Sequence, residues 1–230
     1  MKYLYKYPRG EFPYADLVNT SRGRGRNEFE YELFDTGIFN DDRYFDVFVE
    51  YAKAGAEDIL VEITACNRGP DPAPLHLLPT VWFRNTWSWT EGSERPEMAA
   101  RAGADGATIQ IDEPMYGRRW LHCEGAPALL FTDNETNTAR LFGAPGPRFA
   151  KDGINDLVVH GRLDAVNPEQ RGTKASAHTR VVVPAGGQVR LRLRLADQDP
   201  AVHREAPFAV AFDRTLATRK READAFYDTL

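Results

Sequence analysis

The sequence predicts a mainly β chain: an antiparallel β-sandwich with one C-terminal helix. Three observations carry that expectation. Short alternating segments punctuated by turn residues recur along most of the chain. A single late segment changes to helical spacing. The length of 230 residues suits one large all-β domain.

The elements follow in order. "MKYLYKY" puts Tyr3, Tyr5 and Tyr7 on one face. Residues 13–22 predict a short helix. "RYFDVFVEYAK" sets Phe45, Val47, Val49 and Tyr51 against Asp46, Phe48 and Glu50. "DILVEITACN" points Ile59, Val61 and Ile63 inward, with Leu60, Glu62 and Thr64 across from them. Residues 67–72 (NRGPDP) form a turn by composition. A strand returns through "PLHLLPTVWF", where Pro79 predicts an edge or a bulge. "GATIQIDE", "RRWLHCE", "PALLFTD" and "NTARLFG" read as further strands, and residues 149–159 as a second short helix. The stretch 152–178 is otherwise long, polar and weakly patterned, the habit of a solvated or functional loop.

"AHTRVVVPAGGQVRLRLRLAD" reads as a hairpin turning at residues 184–187. Its second strand sets Val189, Leu191, Leu193 and Leu195 against a wet face of Arg190, Arg192 and Arg194. Over 208–230, Phe212, Leu216, Ala223, Phe226 and Leu230 recur at helical spacing, with no glycine or proline to stop the helix. The organisation expected is a sandwich over 1–205 and a linker helix over 206–230, leading towards a further domain.

Composition excludes several classes. Twenty-nine Lys and Arg against 34 Asp and Glu give a net charge of -5, which fits neither a nucleic-acid partner nor an anionic membrane. The basic run at 22–26 reads as a solvated turn. Cys66 and Cys123 have no metal-like spacing and read as thiols, with one disulfide as the alternative. No signal-type segment and no run of about 18 apolar residues occurs, so a soluble cytoplasmic protein is expected.

Catalytic signals are absent. Glycoside hydrolysis needs two carboxyls about 5–10 Å apart. Asp112 with Glu113 and Asp133 with Glu135 are the pairs to weigh, and both read as strand and turn residues. No nucleophile motif or phosphate loop occurs. His76, His122, His160, His178 and His203 share no ligand spacing, so no metal and no cofactor is expected.

"LLPTVWFRNTWSWTEG" is the informative stretch, with Trp82, Trp87 and Trp89 beside Arg84 and Asn85. Sugar C–H faces stack on aromatic rings, while Arg and Asn bond hydroxyls. If the stretch is extended, Val81, Phe83 and Asn85 share one face, and Trp82 and Arg84 the other. Trp82 reads as core or interdomain packing. Arg84, Asn85, Trp87 and Trp89 are the candidate sugar contacts, with Lys174 as a cation aimed from the long loop.

"MKYLYKYPRGEFPYADLV", "YELFDTGIFNDDRYFDVFVEYAKA", "DILVEITACNRGP", "LHLLPTVWFRNTWSW" and "VVHGRLDAVNPEQRGTKASAH" together resemble bacterial proteins of glycoside hydrolase family 63, the glucosidase and mannosyl-oligosaccharide glucosidase group. The resemblance implies an N-terminal supersandwich ahead of an (α/α)6 barrel. That barrel carries the general acid and base of an inverting α-glucosidase. The catalytic carboxylates have no counterpart in these 230 residues, so no catalytic residue is assigned here. The implied role is a non-catalytic sandwich that packs on the barrel of the same or a partner chain and helps shape an oligosaccharide cleft. A stand-alone carbohydrate-binding module, an independent hydrolase and a structural or dimerisation domain are the alternatives.

Overall fold

The computed structural model describes residues 1–90, 92–103, 106–198 and 206–229. The chain is mainly antiparallel β, with a C-terminal helix, as the alternation predicted. The strands are β1 (Lys2–Pro8), β2 (Tyr44–Gly55), β3 (Asp58–Asn67), β4 (Ala73–Leu77), β5 (Thr80–Trp82), β6 (Glu97–Gly103), β7 (Gly106–Glu113), β8 (Gly117–Glu124), β9 (Ala128–Thr132), β10 (Arg171–Gly172), β11 (Lys174–Val183) and β12 (Gln188–Ala196). The helices are α1 (Tyr14–Gly23), α2 (Thr138–Phe142), α3 (Gly153–His160) and α4 (Val210–Tyr227). One sheet has the order β1-β2-β3-β12-β8-β7-β6-β10; the other runs β4-β11-β5, with β9 on β11.

The chain forms two compact units. The first comprises Met1–Glu50, Glu62–Leu75 and Val181–Leu191. In it β1 lies antiparallel to the first half of β2, from Lys2 opposite Glu50 to Pro8 opposite Tyr44. Tyr3, Tyr5 and Tyr7 are exposed. Phe45, Ile63, Ala65 and Val183 are buried. Asp46, also buried, accepts hydrogen bonds from Lys6 and Arg68, each at 2.7 Å. Burial pushes that carboxyl upward, but the two cations outweigh it and hold Asp46 below the ordinary carboxylate range. The buried Asn67 Nδ2 donates to the carbonyls of Asp71 and Val183, tying down the turn expected at 67–72.

The second unit comprises Tyr51–Val61, His76–Arg180 and Arg192–Leu230. β6, β7 and β8 form a meander, and β8 pairs with the end of β12. Met98, Ile109, Ile111, Leu121 and Leu193 are buried within it. Leu60, expected opposite the inward face of β3, is 1% exposed and clusters with Ala52 and Phe212. The helix α4 supplies that cover. Its first turns pack through Phe212 and Leu216, whereas Ala223 and Phe226 are exposed. Leu230, the last residue of the helical pattern, lies outside the described residues.

Three further expectations are corrected. The segment 174–196 is not a hairpin: β11 and β12 belong to different sheets, and the turn at Gly187, whose N–H donates to Pro184 at 2.9 Å, passes the chain between them. The arginine face of β12 is not wet at Arg192 and Arg194. Arg192 pairs with Glu124 and Asp213 and lies over the Phe208 and Phe212 rings, and Arg194 pairs with Asp58 at 2.7 Å. "NTARLFG" contains the helix α2: Asn137 caps it by accepting from the Arg140 N–H, and Gly143 ends it at positive φ. The reading also missed β6 and β10. Cys66 and Cys123 are free thiols; burial pushes Cys123 up to about 12.

A candidate carbohydrate-binding cavity

β11 sets the site. It lies between β5 and β9, so Lys174 is directly opposite Trp82 on one side and Thr132 on the other. Residues facing one another across an antiparallel pair share a face, which puts the Lys174 stem beside the Trp82 ring. Lys174 is therefore the first residue of a central strand; α3 answers to the short helix expected over 149–159, and the polar stretch after it, expected as loop, holds β10 and this strand start.

Beyond Trp82 the chain leaves the sheet but keeps its alternation. Val81, Phe83, Asn85 and Trp87 are half-buried; Trp82, Arg84 and Ser88 are exposed. Asn85 shapes the turn that follows, because its Oδ1 accepts the Ser88 N–H at 3.2 Å. Its Nδ2 donates to the Asn134 carbonyl at 3.2 Å, and Asn134 Nδ2 returns a bond to the Phe83 carbonyl at 2.8 Å. The Asn134 N–H donates to Thr173 Oγ1 at 2.7 Å, and Thr173 is 1% exposed. Two asparagines and one buried threonine thus stitch the tryptophan segment to the ends of β9 and β11.

The result is a cavity of about 480 Å³ lined by Trp82, Arg84, Asn85, Ser88, Trp89, Asn134, Thr136, Lys151 and Lys174. Arg84 lies over the Trp89 ring at 5.2 Å. Lys174 Nζ donates to the Lys151 carbonyl at 2.8 Å. Its pKa is lowered, first by burial and then by the Lys151 charge, with Asp152 opposing.

Of the five residues singled out in the sequence, the structure brings Arg84, Asn85, Trp89 and Lys174 to this cavity. Trp87 does not line it; its indole N–H donates to Glu135 at 3.4 Å. Trp82, read as core or interdomain packing, is no core residue: it is 56% exposed and forms a wall. The reason is the early end of β5, which leaves its outer face uncovered among the described residues of this unit. Sequence reading missed Ser88, which lies within the tryptophan stretch itself, and Asn134, Thr136 and Lys151, which come from elsewhere in the chain and carry no local motif. Trp82 and Lys174 had one usable signal, a tryptophan at the end of one strand and a lysine at the start of another.

Other candidate groups fall elsewhere. Asp112 accepts from Arg118 at 2.6 Å, and Glu113 caps a turn by accepting the Met115 and Tyr116 N–H groups. Glu135 takes the Trp87 bond and lies 4.0 Å from Arg95. Asp133 lines a second cavity, about 450 Å³, with Arg95, Glu97, Asn167, Glu169 and Arg171 among its walls. His76 Nδ1 and His178 Nε2 lie 2.9 Å apart, with no third metal-ligating neighbour among the described residues. His203 lies outside the described residues.

No family model matches the chain. It is 32% identical over 269 aligned residues to an uncharacterized protein of Saccharomyces cerevisiae, YMR196W, an alignment covering 99% of this chain and 24% of that protein. The chain thus spans about a quarter of the length of this curated relative. A solved polysaccharide lyase gives a TM-score of 0.39 at 13% identity, covering 68% of this chain and 20% of that one, a likeness too slight to carry either fold or activity across. The family 63 resemblance therefore rests on the sequence strings alone. Among the described residues no helix is long and apolar enough to cross a membrane.

Proposed function

We propose that this chain is a non-catalytic, carbohydrate-contacting β-sandwich of a family 63-like α-glucosidase. It would pack on an (α/α)6 barrel and present the Trp82–Lys174 cavity to an oligosaccharide. The observation that carries the reading is the gathering of Arg84, Asn85, Trp89 and Lys174, with Trp82, around one space large enough for a sugar ring. Exposed tryptophans offer stacking faces, and the amides and cations offer hydrogen bonds to hydroxyls. Among the described residues the lining carries no carboxylate, and inverting hydrolysis requires two. That supports recognition rather than bond cleavage at this place.

One observation favours a second reading, a module that binds sugar by itself. The whole lining belongs to a single compact unit of the chain. Titration of the 230-residue chain with α-linked gluco-oligosaccharides, followed by tryptophan fluorescence, tests both readings. Saturable binding that weakens about tenfold or more in Trp89→Ala supports a sugar site, since truncating an aromatic anchor of a binding site costs on the order of 2 kcal/mol. Binding unchanged in Trp89→Ala would place the sugar elsewhere.

A further inference from the structure

We propose that the cavity selects sugars that carry a negative charge, a phosphate or a carboxylate on the ring. The proposal rests on the carbohydrate reading above and adds the class of ligand to it. Its basis is the charge of the lining. Three cations, Arg84, Lys151 and Lys174, meet there, and among the described residues no carboxylate lines the same space. This runs against the chain as a whole, whose net charge is -5. Two acids next to lining residues in the sequence have partners of their own. Glu135 takes the Trp87 indole and faces Arg95, and Asp152 is bonded by Arg140 at 2.7 Å and by Asn137 at 3.1 Å.

Donors also outnumber acceptors. Lys174 spends one N–H on the Lys151 carbonyl and keeps two. Arg84 and Lys151 add their own N–H groups, against the Ser88 and Thr136 hydroxyls and the Asn134 amide oxygen as acceptors in the described lining. A neutral sugar would offer hydroxyls that need acceptors as well as donors, and would leave the three positive charges uncompensated. An anionic sugar meets both conditions: its ring covers a tryptophan and its charge accepts from the cations. A concave wall of aromatic rings strengthens such a contact by displacing water. Burial and Lys151 together disfavour the ammonium of Lys174, and a bound anion reverses that penalty.

Calorimetry on the 230-residue chain tests this with four probes: glucose, glucose 6-phosphate, glucuronate and inorganic phosphate. The two anionic sugars are expected to bind about tenfold or more tighter than glucose, the worth of one charge-assisted hydrogen bond. Lys174→Met removes that preference, and Lys151→Met, at an exposed position, lowers it without disturbing the strand. Glucuronate affinity falls as pH rises through the lowered Lys174 pKa, where the ammonium is lost. Glucose binding as tightly as both anionic sugars, unchanged in Lys174→Met, would overturn the charge selection and leave the sugar site standing. Phosphate binding as tightly as glucose 6-phosphate would overturn the part played by the ring. No binding of any sugar would remove the carbohydrate reading and this proposal with it.

Discussion

Two cavities of similar size lie in the same unit, and they differ in charge. The first has three cations, two tryptophans and, among the described residues, no acid in its lining. The second mixes Arg95 and Arg171 with Glu97, Asp133 and Glu169, and has no tryptophan. In the second, Glu169 and Arg171 already pair at 2.6 Å. The second offers a ligand acids as well as cations, one of each already paired, whereas the first offers cations alone beside exposed tryptophan rings. Size alone does not separate the two; the chemistry of the lining does.

Both cavities depend on one close approach. Gly172, in the wall of the second, passes so near β9 that a Cβ there would sit 2.4 Å from the Thr132 carbonyl oxygen. Thr132 is fully buried and directly opposite Lys174, so the backbone has nowhere to move. Gly172→Ala is expected to destabilise the protein by about 1–3 kcal/mol, measured by denaturant unfolding, and to weaken binding at the first cavity as well. It has the largest stability effect expected here. Trp89→Ala follows, with its tenfold loss of sugar affinity and little change in stability. A smaller effect belongs to pH. Burial, then the charges of His76 and Arg180, lower the His178 pKa. A histidine whose folded pKa lies below its unfolded value takes up protons more readily when unfolded, so stability is lost as pH falls through the ordinary histidine range. Melting temperature should drop between about pH 7.5 and pH 5.5, and the drop should shrink in His178→Gln. Glu169→Gln ranks last. It breaks an exposed pair in the second cavity, and should change stability by under about 0.5 kcal/mol and sugar binding not at all. A strong effect of Glu169→Gln on binding would erase the distinction between the cavities.

Much of the fold was legible because alternation has a simple cause: side chains on a strand point to opposite faces. "GATIQIDE" and "RRWLHCE" are β7 and β8 for that reason. Alternation does not say which sheet a strand joins, and so β11 and β12 looked like a hairpin. Nor does it say what covers a face. Arg192 and Arg194 looked solvated because α4, which lies over Arg192, and Asp58, which pairs with Arg194, are remote in sequence. "NTARLFG" had strand composition, yet a capping asparagine and a terminal glycine decided for a helix. At the site, Arg84, Asn85 and Trp89 were legible because they are neighbours in sequence. Lys174 was noticed for its charge, while its place opposite Trp82 came from register. Asn134 and Lys151 carry no local signal; only the return of β9 and the start of α3 bring them in.

The measurement that bears most directly on the account is the fluorescence titration of the 230-residue chain with glucose 6-phosphate beside glucose. The account predicts saturable change with both sugars, tighter for the phosphate, and weakened for both in Trp89→Ala. No change with either sugar up to about 10 mM, where even a weak site of millimolar Kd would fill, would contradict it.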